Sequence, residues 1–132
     1  MTALRIDRVF VYGTLMRGGR LHSEMLRAGA EFLGRGSIGA ALYKVRGQWY
    51  PGAVPDERSR VWGEVYLLPE LVRGLKYLDE VEGVASEGSF ERKTVEVQSG
   101  SRKFIAWTYF YAAPLKRSQR LPGGKFRVRT QC

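Results

Sequence analysis

The chain has 132 residues, room for one compact domain, and its 44% hydrophobic and 12% aromatic content is enough for a core needing no metal or disulfide to brace it. One cysteine, Cys132, and one histidine, His22, exclude an intramolecular disulfide and a Cys/His metal set, and a terminal thiol is badly placed for catalysis. Lys and Arg outnumber Asp and Glu by 22 to 13, a formal charge of +9, which admits nucleic acid, an anionic surface or an acidic substrate as partner until the distribution of charge is read.

The opening stretch, Met1 to Arg8, reads as too short and too charged for a secretion signal, and no apolar run approaches the ~20 residues of a membrane span. With its lone cysteine the chain is expected to be soluble and cytoplasmic. Arg8 to Tyr12 is a β-branched and aromatic run closed by Gly13, which predicts a buried strand ending in a turn that Gly18 and Gly19 extend. Leu21, Met25 and Ala28 recur at helical spacing, so a short helix is expected from about Arg20 to Ala28, with Gly29 stopping it. Phe32 to Val45 carries Gly34, Gly36 and Gly39 among apolar residues and predicts a bent strand. Gln48 to Val54 is the next strand, held to an edge or bulge by Pro51; Pro55 to Ser59 is a polar turn; Arg60 to Leu67 alternates cleanly.

Pro69 is placed in the first turn of a helix running to about Val81, with Leu71, Leu75 and Leu78 at i, i+4 and i+7 and Gly83 as its stop. Arg92 to Gln98 and Lys103 to Tyr111 form a hairpin around Ser99-Gly100-Ser101, and Pro114 begins a basic tail expected to be only partly ordered. About six strands and two short helices without βαβ alternation predict an α+β domain. Glycines within the strands suit a curled mixed sheet or small β-barrel.

Charge is unevenly spread. Lys116, Arg117, Arg120, Lys125, Arg127 and Arg129 follow one another without an acid, whereas Asp79, Glu80, Glu82, Glu87 and Glu91 crowd into 13 residues. Glu82 stands four residues beyond Leu78 and so points near the apolar face of its helix. Partial burial and the neighbouring Asp79 and Glu80 are both expected to raise its carboxyl from about 4.3 toward neutrality, where general acid/base work is efficient. Acids at a helix C-terminus also oppose the helix dipole, which tips the reading from a solvated helix end toward function. The turn Tyr12-Gly13-Thr14-Leu15 ends a buried strand abruptly and leaves amides without ladder partners, a geometry that binds carboxylate or carbonyl oxygens; the plain alternative is an ordinary strand-ending turn. Two other signals carry less. Gly34 to Gly39 spells G-x-G-x-x-G, but a strand rather than a helix follows, so a sheet bend is the better reading than dinucleotide binding. A lone His22 on a helix is more often a packing residue than a catalyst.

Taken in order, Val9-Phe10-Val11-Tyr12-Gly13-Thr14-Leu15-Met16-Arg17-Gly18, Tyr50-Pro51-Gly52-Ala53-Val54, Val61-Trp62-Gly63-Glu64-Val65-Tyr66, Leu78-Asp79-Glu80-Val81-Glu82-Gly83 and Phe90-Glu91-Arg92 with Thr94 to Val97 and Ala106 to Tyr109 resemble the γ-glutamylcyclotransferase-like family, AIG2-like proteins and γ-glutamylamine cyclotransferases among them. The resemblance runs from about Val9 to Tyr111. It implies a domain over residues 1–113 followed by a basic tail over 114–132. It also implies release of 5-oxoproline from a γ-glutamyl amide or amine, the substrate's own α-amine attacking its γ-carbonyl. On that implication Glu82 is the general acid/base, Tyr12, Gly13, Thr14 and Leu15 bind the substrate, and neither cofactor nor metal is required. Phe90 stands where many relatives have tyrosine, and Leu21 precedes His22 where many have asparagine, which bears on the substrate more than on the fold. A non-catalytic module binding an amino-acid-like ligand is the alternative, and nucleic-acid binding through the basic tail a more remote one, since no recognisable nucleic-acid motif accompanies the charge.

Overall fold

The computed structural model describes residues 5–83 and 89–127. Glu87 of the acidic cluster, and Arg129 and Cys132 at the end of the chain, lie outside the described residues. The elements in order are β1 (Arg8–Val11), α1 (His22–Arg27), β2 (Glu31–Lys44), β3 (Pro51–Leu67), α2 (Leu71–Val81), β4 (Phe90–Ser99), β5 (Arg102–Tyr111) and β6 (Gln119–Leu121).

Strands pair in the order β3-β1-β5-β4-β2, and β2 pairs β3 again, which closes a five-stranded mixed barrel; β6 is added on β2. Among the described strands only β1 and β5 run parallel, in register at Val9 and Trp107. The β2 edge is shared: Ser37 and Ile38 pair with β4, while Leu42 to Lys44 pair with β6.

β1 is apolar and buried from Val9 to Val11, as fits a strand covered on both faces. Phe10 turns into the barrel with Ile38, Ala40, Leu42, Ala53, Val61, Val65, Val97, Ala106 and Phe110, whereas Val9 and Val11 turn outward against the helices. The interior mixes alanines with large residues, as a barrel of few strands requires. Outside, Met25 and Ala28 of the α1 segment and Leu75 and Leu78 of α2 close over Val9, Val11, Tyr66 and Leu68. Leu78 is fully buried, which contributes roughly 1.5–3 kcal/mol.

Three expectations change. Pro55 to Ser59 does not separate two strands: β3 runs through it, and its register on β2 jumps from Gly39 opposite Arg60 to Ala40 opposite Pro55, so residues 56–59 bulge from a continuous strand. Pro69 precedes α2 rather than entering its first turn, since Glu70 is the N-cap. Beyond Pro114, the described part of the basic segment lies against the barrel: β6 pairs with β2, Gly124 accepts a hydrogen bond from Trp62 N at 2.8 Å, and Phe126 packs on the interior cluster. The Gly34 to Gly39 stretch is strand, with no helix after it. Among the described residues no helix is long and apolar enough to cross a membrane.

Candidate active site

Where β1 ends, the chain enters a tight loop pinned by its own carbonyls. Gly13 O accepts from Met16 N at 3.1 Å, Thr14 O from Leu21 N at 2.9 Å, and Leu15 O lies 2.9 Å from His22 Nδ1. A carbonyl only accepts, so His22 holds its proton on Nδ1 and braces the loop. Glu64 holds the loop from below, accepting from Arg17 N at 2.8 Å, Arg17 Nε at 3.3 Å and Tyr66 Oη at 2.8 Å. With the carbonyls engaged, the amides of Gly13, Thr14 and Leu15 meet no acceptor among the described residues. Gly13 is required here by crowding: a Cβ on it would lie 2.8 Å from Pro51 Cγ.

Tyr12 to Leu15 form one wall of a cleft of about 340 Å³, counted to its open mouth, completed by Phe10, Val11, Tyr50, Pro51, Glu82, Phe90 and Tyr109. Glu82 arrives from the opposite side. It caps α2 with its own N–H bonded to Leu78 O at 2.9 Å, and Gly83 follows at φ +68°, which turns the chain away and leaves the side chain over the apolar face marked by Leu78. No donor among the described residues reaches the Glu82 carboxyl, and burial pushes its pKa from 4.5 up to about 7. Desolvation is the cause of that rise among the described residues; the expected help from Asp79 and Glu80 does not operate. Asp79 is occupied elsewhere, accepting from Tyr109 Oη at 2.7 Å and lying 2.8 Å from Arg92 Nε, an ion pair in which the Arg92 N–H is not aimed at the carboxylate. Glu80 is exposed.

The cleft's tyrosines are held in place. Tyr12 Oη donates to Tyr109 O at 2.6 Å and accepts from Ala53 N at 3.1 Å, tying the end of β1 to β5 and β3. Burial raises its pKa well above the usual tyrosine range, so it stays a neutral strut. Tyr109 is likewise raised, by burial first and by its bond to Asp79 second. Its ring faces the cleft while its hydroxyl is engaged with Asp79, so the hydroxyl is a fixing point.

All five residues singled out in the sequence, Tyr12, Gly13, Thr14, Leu15 and Glu82, therefore line one cleft. Tyr50, Pro51 and Tyr109 are not assigned to it by sequence reasoning, and Phe90 enters there only as a position that the resemblance connects with the substrate. Only the Tyr50-Pro51-Gly52 interruption of a strand hinted that a backbone approaches there. Phe90 is buried at the cleft, its ring 5.5 Å from Tyr50 and 5.4 Å from Tyr111. Among the described residues no cluster of His, Cys, Asp and Glu assembles that could hold a metal ion. The arrangement offers one protonatable carboxyl facing a row of amide donors across an apolar cleft, suited to holding an anionic or carbonyl group while moving a proton.

Residues 9–128 match the family described as Gamma-glutamyl cyclotransferase, AIG2-like. The chain is 34% identical over 110 residues, 80% of its length, to the Gamma-L-glutamyl-butirosin B gamma-glutamyl cyclotransferase of Niallia circulans, and 31% identical over 111 residues, 83% of its length, to AIG2-like protein A of Arabidopsis thaliana. It spans 67% and 64% of those two curated relatives. Its fold is shared with an AIG2-like protein from Mus musculus, at a TM-score of 0.70 and 23% identity, covering 98% of this chain and 100% of that one. A protein from Pyrococcus horikoshii superposes at 0.62 with 27% identity, covering 90% and 88%. The barrel, the cleft and these matches together place the chain in the γ-glutamyl cyclotransferase, AIG2-like family.

Proposed function

We propose that the protein releases 5-oxoproline from a γ-glutamyl amide, with Glu82 as general acid/base and the amides of Gly13, Thr14 and Leu15 holding the glutamyl head. The observation carrying this reading is the Glu82 carboxyl, raised to about 7 and reached by no donor among the described residues, in the same cleft as three amides that meet no acceptor among them. The Niallia circulans relative is named for such a reaction on a γ-glutamyl compound, which supports the reaction class.

The chemistry needs little machinery. The substrate's α-nitrogen forms a bond to the carbonyl carbon of its own γ-carboxamide and the bond from that carbonyl carbon to the departing nitrogen breaks, so the nucleophile is intramolecular and the protein's first task is to keep the chain folded on itself. The substrate's α-ammonium stands beside its own free α-carboxylate, which holds its pKa above the ~7.7–8 of a chain N-terminus, and a carboxyl raised to about 7 is a better acceptor for that proton than an ordinary glutamate. Glu82 takes a proton from the ammonium so that the free amine can attack and passes it to the departing nitrogen; the second proton, lost from the ring nitrogen, goes the same way, and the amine leaves as its ammonium. Charge developing on the γ-oxygen is met by backbone amides already fixed by Glu64 and His22, which need no reorganisation.

The test is a panel of γ-glutamyl amides and γ-glutamyl amines incubated with the protein, 5-oxoproline being read by mass spectrometry. Release from at least one compound, lost in Glu82→Gln with the fold intact, is expected. No 5-oxoproline from any member, or undiminished release by Glu82→Gln, contradicts the proposal.

A further inference from the structure

From the cleft an aromatic series leads outward. Phe90 is buried, Tyr50 beside it is partly buried, and Trp49, 5.6 Å from Tyr50 ring to ring, is 47% exposed. Over the Trp49 ring, at 4.6 Å, lies the exposed guanidinium of Arg20, which forms no ion pair with an acid among the described residues. The two side chains come from different segments, Arg20 from the loop that follows the amide row and Trp49 from the turn between β2 and β3. The neighbouring Arg17 differs: its charge is bound to Glu64.

This arrangement has a chemical meaning for whatever protrudes from the cleft. A glutamyl head bound by the Gly13 to Leu15 amides beside Glu82 would extend its amide substituent along the open side of the cleft, whose wall includes Tyr50 and Phe90. Beyond Tyr50 such a substituent meets the Trp49 ring and, over it, a cation that no acid among the described residues neutralises. A guanidinium stacked on an indole stays planar and oriented with its N–H edge free, the form in which arginine receives carboxylates. A cationic substituent would face repulsion in the same place.

We infer that Arg20 and Trp49 form a subsite at the mouth of the cleft that receives the leaving amine and selects leaving amines bearing a carboxylate over cationic ones. This rests on the cyclotransferase reading and assigns to these two residues the choice of leaving group within it.

Three matched compounds test it: γ-glutamyl-phenylalanine, its C-terminal amide, and γ-glutamyl-1,5-diaminopentane, compared by kcat/KM for 5-oxoproline release. The acid is expected to exceed its amide by roughly three- to tenfold, with the diamine compound last, and the preference should shrink as salt rises. Arg20→Gln should bring the acid down to the level of its amide, and Arg20→Glu should move the diamine compound above the acid. Trp49→Ala should reduce the acid-over-amide ratio as well, by freeing the guanidinium from its oriented stack. Equal turnover of all three by the wild type, or a preference for the acid that survives Arg20→Gln, overturns the subsite while leaving the reaction standing. No 5-oxoproline from any of the three while other γ-glutamyl compounds are turned over overturns the subsite alone, and none from any compound overturns both.

Discussion

Two carboxylates flank the loop after β1, and the protein treats them oppositely. Glu64, buried beneath the loop, accepts from Arg17 N, Arg17 Nε and Tyr66 Oη and neutralises the guanidinium it holds. Glu82, across the cleft, has an apolar setting, no donor among the described residues and a pKa near 7. Burying a carboxyl without partners is costly, and a purely structural acid does not stay that way. On the proposed reading the contrast separates two tasks: a satisfied acid fixes the amide row, and one without a donor among the described residues exchanges a proton with what the row would hold.

Exchanging the two effects is the most direct way to break this contrast. Glu82→Gln is expected to lower 5-oxoproline release by roughly 10²- to 10⁴-fold while leaving thermal stability at pH 7 unchanged or higher, measured by turnover and melting in parallel. Glu64→Ala should do the reverse in emphasis, losing about 2–4 kcal/mol of stability in urea unfolding because Arg17 and Tyr66 lose a shared acceptor, with turnover falling far less. Retained stability in Glu64→Ala would mean that the loop is held by other means.

pH sharpens the comparison further. A carboxyl whose folded pKa is raised leaves stability intact below its ordinary pKa and removes it as pH climbs through the folded value, here about 7. Between pH 5 and pH 9 the wild type should therefore lose roughly 2–3 kcal/mol relative to Glu82→Gln, checked by paired denaturation series. A constant difference between the two would show that Glu82 ionises without penalty. The smallest effect is expected for Tyr12→Phe, about 1–2 kcal/mol, from leaving Ala53 N and Tyr109 O unpaired in the core.

Local periodicity carried the placement of Glu82 and of the amide row. Leu71, Leu75 and Leu78 define a helix face, and Glu82 four residues on inherits it; Val9 to Val11 read as buried because both faces of β1 are covered. What eluded the sequence is what depends on distant partners. Asp79 reads as a negative neighbour of Glu82 until Arg92, 13 residues away on β4, and Tyr109 on β5 are seen to engage it. Tyr109 and Tyr50 enter the cleft only through barrel closure. The bulge at residues 56–59 has the polar composition of a turn, and only its pairing with β2 on either side reveals a continuous strand. The basic segment after Pro114 has little hydrophobic pattern of its own, so its docking as β6 is dictated by the open edge of β2.

The claim on which the rest depends is that Glu82 is kept unpaired and protonatable in the cleft. Titration of glutamate side-chain carboxyls by carbon-13 NMR, with Glu82→Gln to assign the signal, measures this directly. One carboxyl with a midpoint near 7 that disappears in the variant is the expected result. A Glu82 midpoint in the ordinary carboxylate range, about 4–4.5, would contradict the account.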